Sequence, residues 1–348
     1  MGYKDKRYQK DLTQQINDRL TKMLHAGEGQ SKREAVANGT DRDKIFSYST
    51  YDSYFKHCKY FSRYVRENHP EVTSLKQAKK YVNEWLQYRV DNGGQNGKKL
   101  SPWTITLERE ALGKLFGIKP DDKKFFAAPK RKRQDIKRSR GDAVRDRHFS
   151  EKNNDEFVKF CKGTGCRRNI MEKIEGRDLT TRADIEREID RLIKKKDRSE
   201  MEEKHLGVLK DAIEFFPDQE YFLHHRRDKG GRERFSPIIG KHKKQIVDRM
   251  RATAPTEKVW LHVPGNADIH SYRGEYATSI YKMYARPISE IPYDRINEGT
   301  GKKFQGGVYT CRKDEKGKKL DKEAMKKASK ALGHNRLEVV ANNYIRGL

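Results

Sequence analysis

The chain has 348 residues, 37% of them charged and 34% hydrophobic, with a formal net charge of +27. That length allows two domains with cores of their own and a small appendage, and a charge of that sign and size points to a polyanionic partner, nucleic acid being the commonest. No apolar run approaches a membrane span, no lipidation motif or basic amphipathic anchor stands out, and MGYKDKRYQKDL at the start lacks a signal-peptide core. A membrane role is thereby excluded at this level, and a cytoplasmic location is expected. The four cysteines, Cys58, Cys161, Cys166 and Cys311, offer one C-x4-C pair and no second pair to complete a zinc site, so they read as reduced, mostly buried thiols.

In chain order, Leu12, Ile16, Leu20, Met23 and Leu24 fall on one helical stripe. An amphipathic helix of this kind packs on a neighbour or on another subunit. The Gly/Ser/Asn-rich HAGEGQSKREAVANGT then reads as a loose segment, which closes a first region at 1–40. Residues 41–125 read as an all-helical domain. Tyr51, Tyr54, Phe55, Cys58 and Val65 recur at helical spacing, as do Ala78, Val82, Trp85, Leu86 and Val90. A further helix in LSPWTITLEREALGKLFG has Ser101 as N-cap, Pro102 at its first position and Gly117 as its stop.

Residues 126–148 form a basic interdomain linker with almost no apolar content. Its cations Lys130, Arg131, Lys132, Arg133, Lys137, Arg138 and Arg140 are either a solvated spacer or a strap across a DNA backbone, and a polycation that orders only on its partner is both.

A second domain spans 149–348, mixed in its elements. Ser150 is expected to cap a helix carrying Phe157, Val158 and Cys161, which Gly163 and Gly165 break before Arg167. Two charged helices follow, near 181–195 and 199–216. EYFLHHRRDKGGRERFSPII predicts a β-hairpin turning over Lys229-Gly230-Gly231, VWLHV a short strand, and GGVYTCRKDEKGKKL a second hairpin. The chain as a whole is expected to be mostly α with small β elements.

HSYRGEYATSIYKMYA, helical from about His270, sets His270 and Arg273 on one face at the head of an apolar row through Ala277, Ile280, Tyr281 and Tyr284. A buried His–Arg pair bonded to backbone oxygens is one reading; the other is an anion site, because a buried arginine needs a counter-charge and none stands on that face. LDKEAMKKASKALG is a helix from the N-cap Asp321 to the stop at Gly333, which leaves His334 at a tight exit. Asn335 and Glu338 resemble a capping box for a short terminal helix with Leu337, Val340, Ala341 and Tyr344 on one stripe. Tyr344 taken alone is one of 17 tyrosines, as readily a core residue as a nucleophile.

The order of these signals is more specific than any one of them. An arginine in TGxR, a hairpin lysine, HxxR, LGH and a tyrosine ten residues on resemble the tyrosine recombinase (phage integrase) family of site-specific DNA recombinases. The resemblance is concentrated in 149–348, and the helical 41–125 is similar in pattern to that family's core-binding, SAM-like domain. It implies a mixed α/β catalytic domain in which Tyr344 is the nucleophile, Arg167 and Arg273 clamp the scissile phosphate, His270 and His334 handle protons and hydrogen bonds, and Lys229 is the general acid. It further implies DNA integration or excision for a phage or mobile element through a 3′-phosphotyrosine, without metal, ATP or other cofactor. The implied partners are double-stranded DNA at attachment or crossover sites, a homotetramer on paired sites and, as candidates, accessory DNA-bending proteins; the implied location is the nucleoid.

Three departures are evident. Ile170 stands where the family usually has an acid three after the first arginine, leaving Glu172 or Asp178 to support Arg167. Gly274 follows HxxR where many members have a base, and 176–216 and 287–320 exceed a minimal catalytic domain. A DNA-binding protein of the same fold without activity and a type IB topoisomerase are the alternatives; an RNA-binding protein has no RNP-type aromatic motif to support it.

Overall fold

In the computed structural model the chain divides into two units, Met1–Lys132 and Arg133–Leu348. The structure describes residues 10–94, 96–132, 148–226, 228, 232–312, 315–334, 336–345 and 348. It is mostly helical with small antiparallel sheets, and no helix among the described residues is long and apolar enough to cross a membrane.

The first unit is helical: α1 (Leu12–Gly27), α2 (Lys32–Ala37), α3 (Tyr48–Asn68), α4 (Leu75–Ala78), α5 (Val82–Asn92) and α6 (Pro102–Phe116). Helix α1 opens on a capping box, Asp11 accepting from the Gln14 backbone and Gln14 reaching back to Asp11. Its stripe of Leu12, Ile16, Leu20 and Met23 is buried with Phe61, Val65, Leu86, Leu112 and Phe116 in one core. The N-terminal helix belongs to this core, and the segment read as loose contains α2, capped by Ser31 and seated by the buried Ala35. Helix α6 has Ser101 as its cap, Pro102 in its first turn and Gly117 in the left-handed conformation at its end.

One buried ion pair ties α5 to α6. Glu108, fully buried, accepts from Arg89 Nε and Nη2 at 3.0 and 2.8 Å and lies 3.3 Å from His57 Nδ1. Burial alone pushes a carboxyl up, but the bonds from His57 and Arg89 outweigh it and hold Glu108 below its usual range.

In the second unit, α7 (Asp155–Thr164) begins at the N-cap Asn154, four residues beyond the expected Ser150, whose hydroxyl instead closes a turn on the Asn153 backbone. Then come α8 (Arg168–Met171), β1 (Leu179–Thr181), α9 (Arg182–Lys194), α10 (Glu200–Phe215), β2 (Tyr221–His225), β3 (Arg234–Pro237), α11 (Lys243–Ala252) and α12 (Ile269–Tyr284). The chain closes with β4 (Arg295–Ile296), β5 (Lys303–Phe304), β6 (Val308–Thr310), β7 (Lys319–Asp321), α13 (Lys322–Ala331) and α14 (Leu337–Asn343). Strands β1, β2 and β3 form an antiparallel sheet in that order, with His225 opposite Arg234 at the hairpin end. β4 pairs β5, and β6 pairs β7.

VWLHV is not a strand. Val259 and Trp260 turn into the core, Leu261 is out in solvent, and among the described residues the pairing here is one isolated bridge, Glu175 to Lys258, with Val259 N–H donating to Ile174 O at 2.9 Å. Two apolar cores fill the unit. One, around Tyr276, Ala277, Ile280, Met325, Ala328 and Val340, joins α12, α13 and α14; the other gathers Phe160, Met171, Ile174, Ile246 and Tyr272.

Replacing Glu108 by Gln would leave the Arg89 guanidinium buried without its counter-charge. We expect a loss of about 3–5 kcal/mol from the first unit, read by urea denaturation of the full chain followed by circular dichroism. A loss under about 1 kcal/mol would mean that water reaches the pair and that it does not hold α5 to α6.

Candidate active site

The site is built around the carboxyl end of α13. A helix leaves its last carbonyls without intrahelical partners and carries a partial negative charge at that end. Here Gly333, with φ +67°, and His334 close a Schellman turn: Gly333 N–H donates to Lys330 O at 2.9 Å and His334 N–H to Ser329 O at 2.8 Å. The carbonyls of Ala331 and Leu332 remain, and arginines meet them. Arg234 Nη1 donates to Ala331 O at 2.6 Å, Arg273 Nη2 to Leu332 O at 2.5 Å, and Arg167 Nη2 approaches the same oxygen at a long 3.5 Å.

Each arginine arrives from a different element. Arg167 is the N-cap of α8, just after Gly165 ends α7 at φ +60°. A Cβ on Gly165 would lie 2.2 Å from the Tyr276 ring, so glycine is required there both for its backbone and for the close approach. Arg273 lies in the first turns of α12, is 1% exposed, and also donates Nη1 to Gly165 O; its Nε has no hydrogen-bond partner among the described residues. Arg234 opens β3 and is buried.

One carboxylate faces them. Asp228 Oδ1 accepts from Arg167 Nη1 at 2.5 Å, and Oδ2 accepts from Arg234 Nε at 2.8 Å. The expected substitutes for the missing acid are thus corrected. Asp178 is engaged by Arg226 Nε at 2.7 Å, and Glu172 is exposed at the end of α8. Ile170 carries no acid because its side chain is buried in the core beneath α7 and α8.

The phenol of Tyr344 is seated beside this cluster. Tyr344 is the C-cap of α14 and 6% exposed, and its carbonyl accepts from Thr278 Oγ1 at 3.2 Å. Its Oη is 3.3 Å from His334 Nε2. The rings of His334 and His270 each lie 5.2 Å from its own, and Arg273 Cζ is 5.6 Å from its centroid. His270 itself is exposed in the first turn of α12. The N-cap of α14 is Arg336 rather than Asn335, which lies outside the described residues.

Five of the six expected catalytic residues, Arg167, His270, Arg273, His334 and Tyr344, therefore lie together around the end of α13 and the Tyr344 ring. Lys229 lies outside the described residues, as do Arg133, Lys137, Arg138 and Arg140 of the basic linker; Lys130, Arg131 and Lys132 are exposed at the end of the first unit. Sequence reasoning missed Asp228 and Arg234. Asp228 is the lone acid in RRDKGGR and looks like an ordinary turn residue. Arg234 stands in a four-residue strand buried on both faces, where alternation gives no warning.

Electrostatics follow from the balance of charges. Burial and the neighbouring Arg234 and Arg167 pull Arg273 down to about 10, which still leaves it protonated at neutral pH. Burial, then Arg273, Arg167 and Arg234, lower His334 to about 4, so its imidazole is neutral at pH 7. His225, fully buried, is driven the same way by burial and Arg234. Since Arg234 Nη2 can only donate, at 3.3 Å, His225 Nδ1 accepts and its Nε2–H donates to Ser236 Oγ at 2.8 Å. No cluster of three or more His, Cys, Asp or Glu side chains able to hold a metal occurs among the described residues. No family model matches the chain, and no curated protein matches it.

Because His334 is neutral in the folded chain down to about pH 4 but takes a proton near 6.5 when unfolded, its contribution to stability is complete above pH 6.5 and declines from there to about 4. We expect the thermal midpoint to fall across that window and the fall to be shallower in His334→Gln, with His225 and the carboxylates held below their usual range, Glu108 among them, contributing the rest. Equal acid limbs in the two proteins would contradict the assignment.

Proposed function

We propose that the chain is a site-specific DNA strand transferase of the tyrosine recombinase type. It cuts and rejoins DNA through a 3′-phosphotyrosine, in the service of integrating or excising a phage or mobile element. The observation that carries this reading is the surrounding of Tyr344: two imidazoles flank its ring and a buried guanidinium stands over it, beside a cluster of three arginines with one paired carboxylate. Among the described residues, three positive charges against one negative leave a deficit of negative charge, and a phosphodiester fits that sign.

In this reading Tyr344 Oη attacks phosphorus, the P–O5′ bond breaks and a P–O bond to the phenol forms. A free phenol, with pKa ~10, is a poor nucleophile at neutral pH. His270, beside the ring and open to solvent, takes the phenolic proton, and Lys229, assigned from the sequence alone, protonates the departing 5′-oxygen. Arg167 and Arg273 bind the non-bridging oxygens as charge builds on them, donors of this kind being worth ~10²–10³ in rate each. Neutral His334 holds a hydrogen bond to the phenol. The reverse attack by a 5′-hydroxyl rejoins the strand with no energy source beyond the phosphotyrosine bond.

The test is covalent capture. Nicked duplexes of randomised sequence are incubated with the protein, and an SDS-resistant adduct is expected with the wild type and absent with Tyr344→Phe. Absence from both would favour a DNA-binding protein of this fold without activity. Exchange of strands between two recovered duplexes separates a recombinase from a topoisomerase, which relaxes supercoils without pairing sites.

The exposed Lys130, Arg131 and Lys132 make a second expectation. Changing all three to Ala should weaken DNA binding across sequences and lower the slope of log K against log salt by about 3, one for each phosphate no longer neutralised. An unchanged slope would remove these cations from the interface.

A further inference from the structure

The hairpin between β2 and β3 supplies something that the strand-transfer chemistry alone does not require, namely a buried acid between two arginines. Asp228 has a side chain 4% exposed. A carboxylate this deep is costly unless its oxygens are bonded and its charge is met. Both conditions hold, since Oδ1 takes Arg167 at 2.5 Å and Oδ2 takes Arg234 at 2.8 Å. Its own N–H donates to Arg232 O at 2.9 Å. Arg234 is anchored in turn on Ala331 O and His225. Gly333 leaves room for it, because a Cβ there would meet Arg234 Cδ and Nε at 2.8 Å and Asp228 Oδ2 at 3.4 Å.

Among the described residues Arg167 has few other restraints. Its side chain is 21% exposed, and its bond to Leu332 O is long at 3.5 Å. A flexible guanidinium with one weak bond samples several rotamers, whereas a short charge-assisted bond fixes the fork. Nothing at Ile170, one helical turn on, can do this, since that side chain is committed to the core.

We propose that Asp228 is the positioning carboxylate of the site: held by Arg234, it aims Arg167 at the scissile phosphate. The proposal rests on the strand-transferase reading. Asp228 does not touch the substrate and takes no proton.

The experiment compares wild type, Asp228→Asn and Asp228→Glu on the nicked duplex recovered by covalent capture, with single-turnover adduct formation at saturating protein and affinity by filter binding. Far-UV circular dichroism and the thermal midpoint report folding. Asp228→Asn should form adduct about 10²-fold more slowly, the scale expected of a guanidinium misplaced by about 1 Å, with affinity within about twofold of wild type. Asp228→Glu, which keeps the charge, should recover most of the rate. Asp228→Asn with unchanged rate overturns the inference and leaves the strand-transferase reading standing. Equal loss of rate in both variants alongside loss of fold also overturns it, since Asp228 would then be structural. Wild type that forms no adduct on any duplex overturns both.

Discussion

Three guanidinium groups, from Arg167, Arg234 and Arg273, converge on the carboxyl end of α13, and the rest of the second unit is arranged so that they can. Like charges brought together in a poorly hydrated place repel, and the chain offsets this with three sinks of negative charge: the orphan carbonyls of Ala331 and Leu332, the helix dipole behind them, and Asp228. The remaining excess of positive charge acts on its titratable neighbours. Burial first, and this charge second, keep His334 and His225 neutral, so the imidazoles serve as hydrogen-bonding groups beside fixed cations.

The convergence has a simple covalent origin. Arg167 follows a left-handed glycine that ends one helix, Arg273 sits in the first turns of another, and Arg234 opens a strand. Each is placed where an element starts, so a short, rigid backbone stands behind a long side chain. Glycines at 165 and 333 let the elements approach, the first against the Tyr276 ring and the second against Arg234. Asp228 then links the hairpin to the arginine cluster by charge rather than by apolar packing.

Much of this could be read from the residues. Helix ends were legible wherever a cap or a left-handed glycine marks them, as at Ser101, Gly117, Asp321 and Gly333, because those signals are local. The motif residues in α12 and after α13 were legible by spacing. What escaped was decided by tertiary packing. VWLHV has strand-forming residues but no partner edge to pair with. Helix α1 shows an apolar stripe without saying what covers it, and the α3–α6 core does. Asp228 and Arg234 were invisible because a salt bridge between a turn and its own strand matters only once Arg167, 61 residues earlier, is folded against it.

His334 and Tyr344 are held by different elements of one core. The histidine backbone is bonded at both ends to Ser329, its N–H to the Ser329 carbonyl and its carbonyl to the Ser329 hydroxyl, so it travels with α13. The phenol travels with the seven-residue α14, tethered through Thr278 to α12. The imidazole and the phenol are therefore placed independently, the first by the turn that ends α13 and the second by the packing of α14.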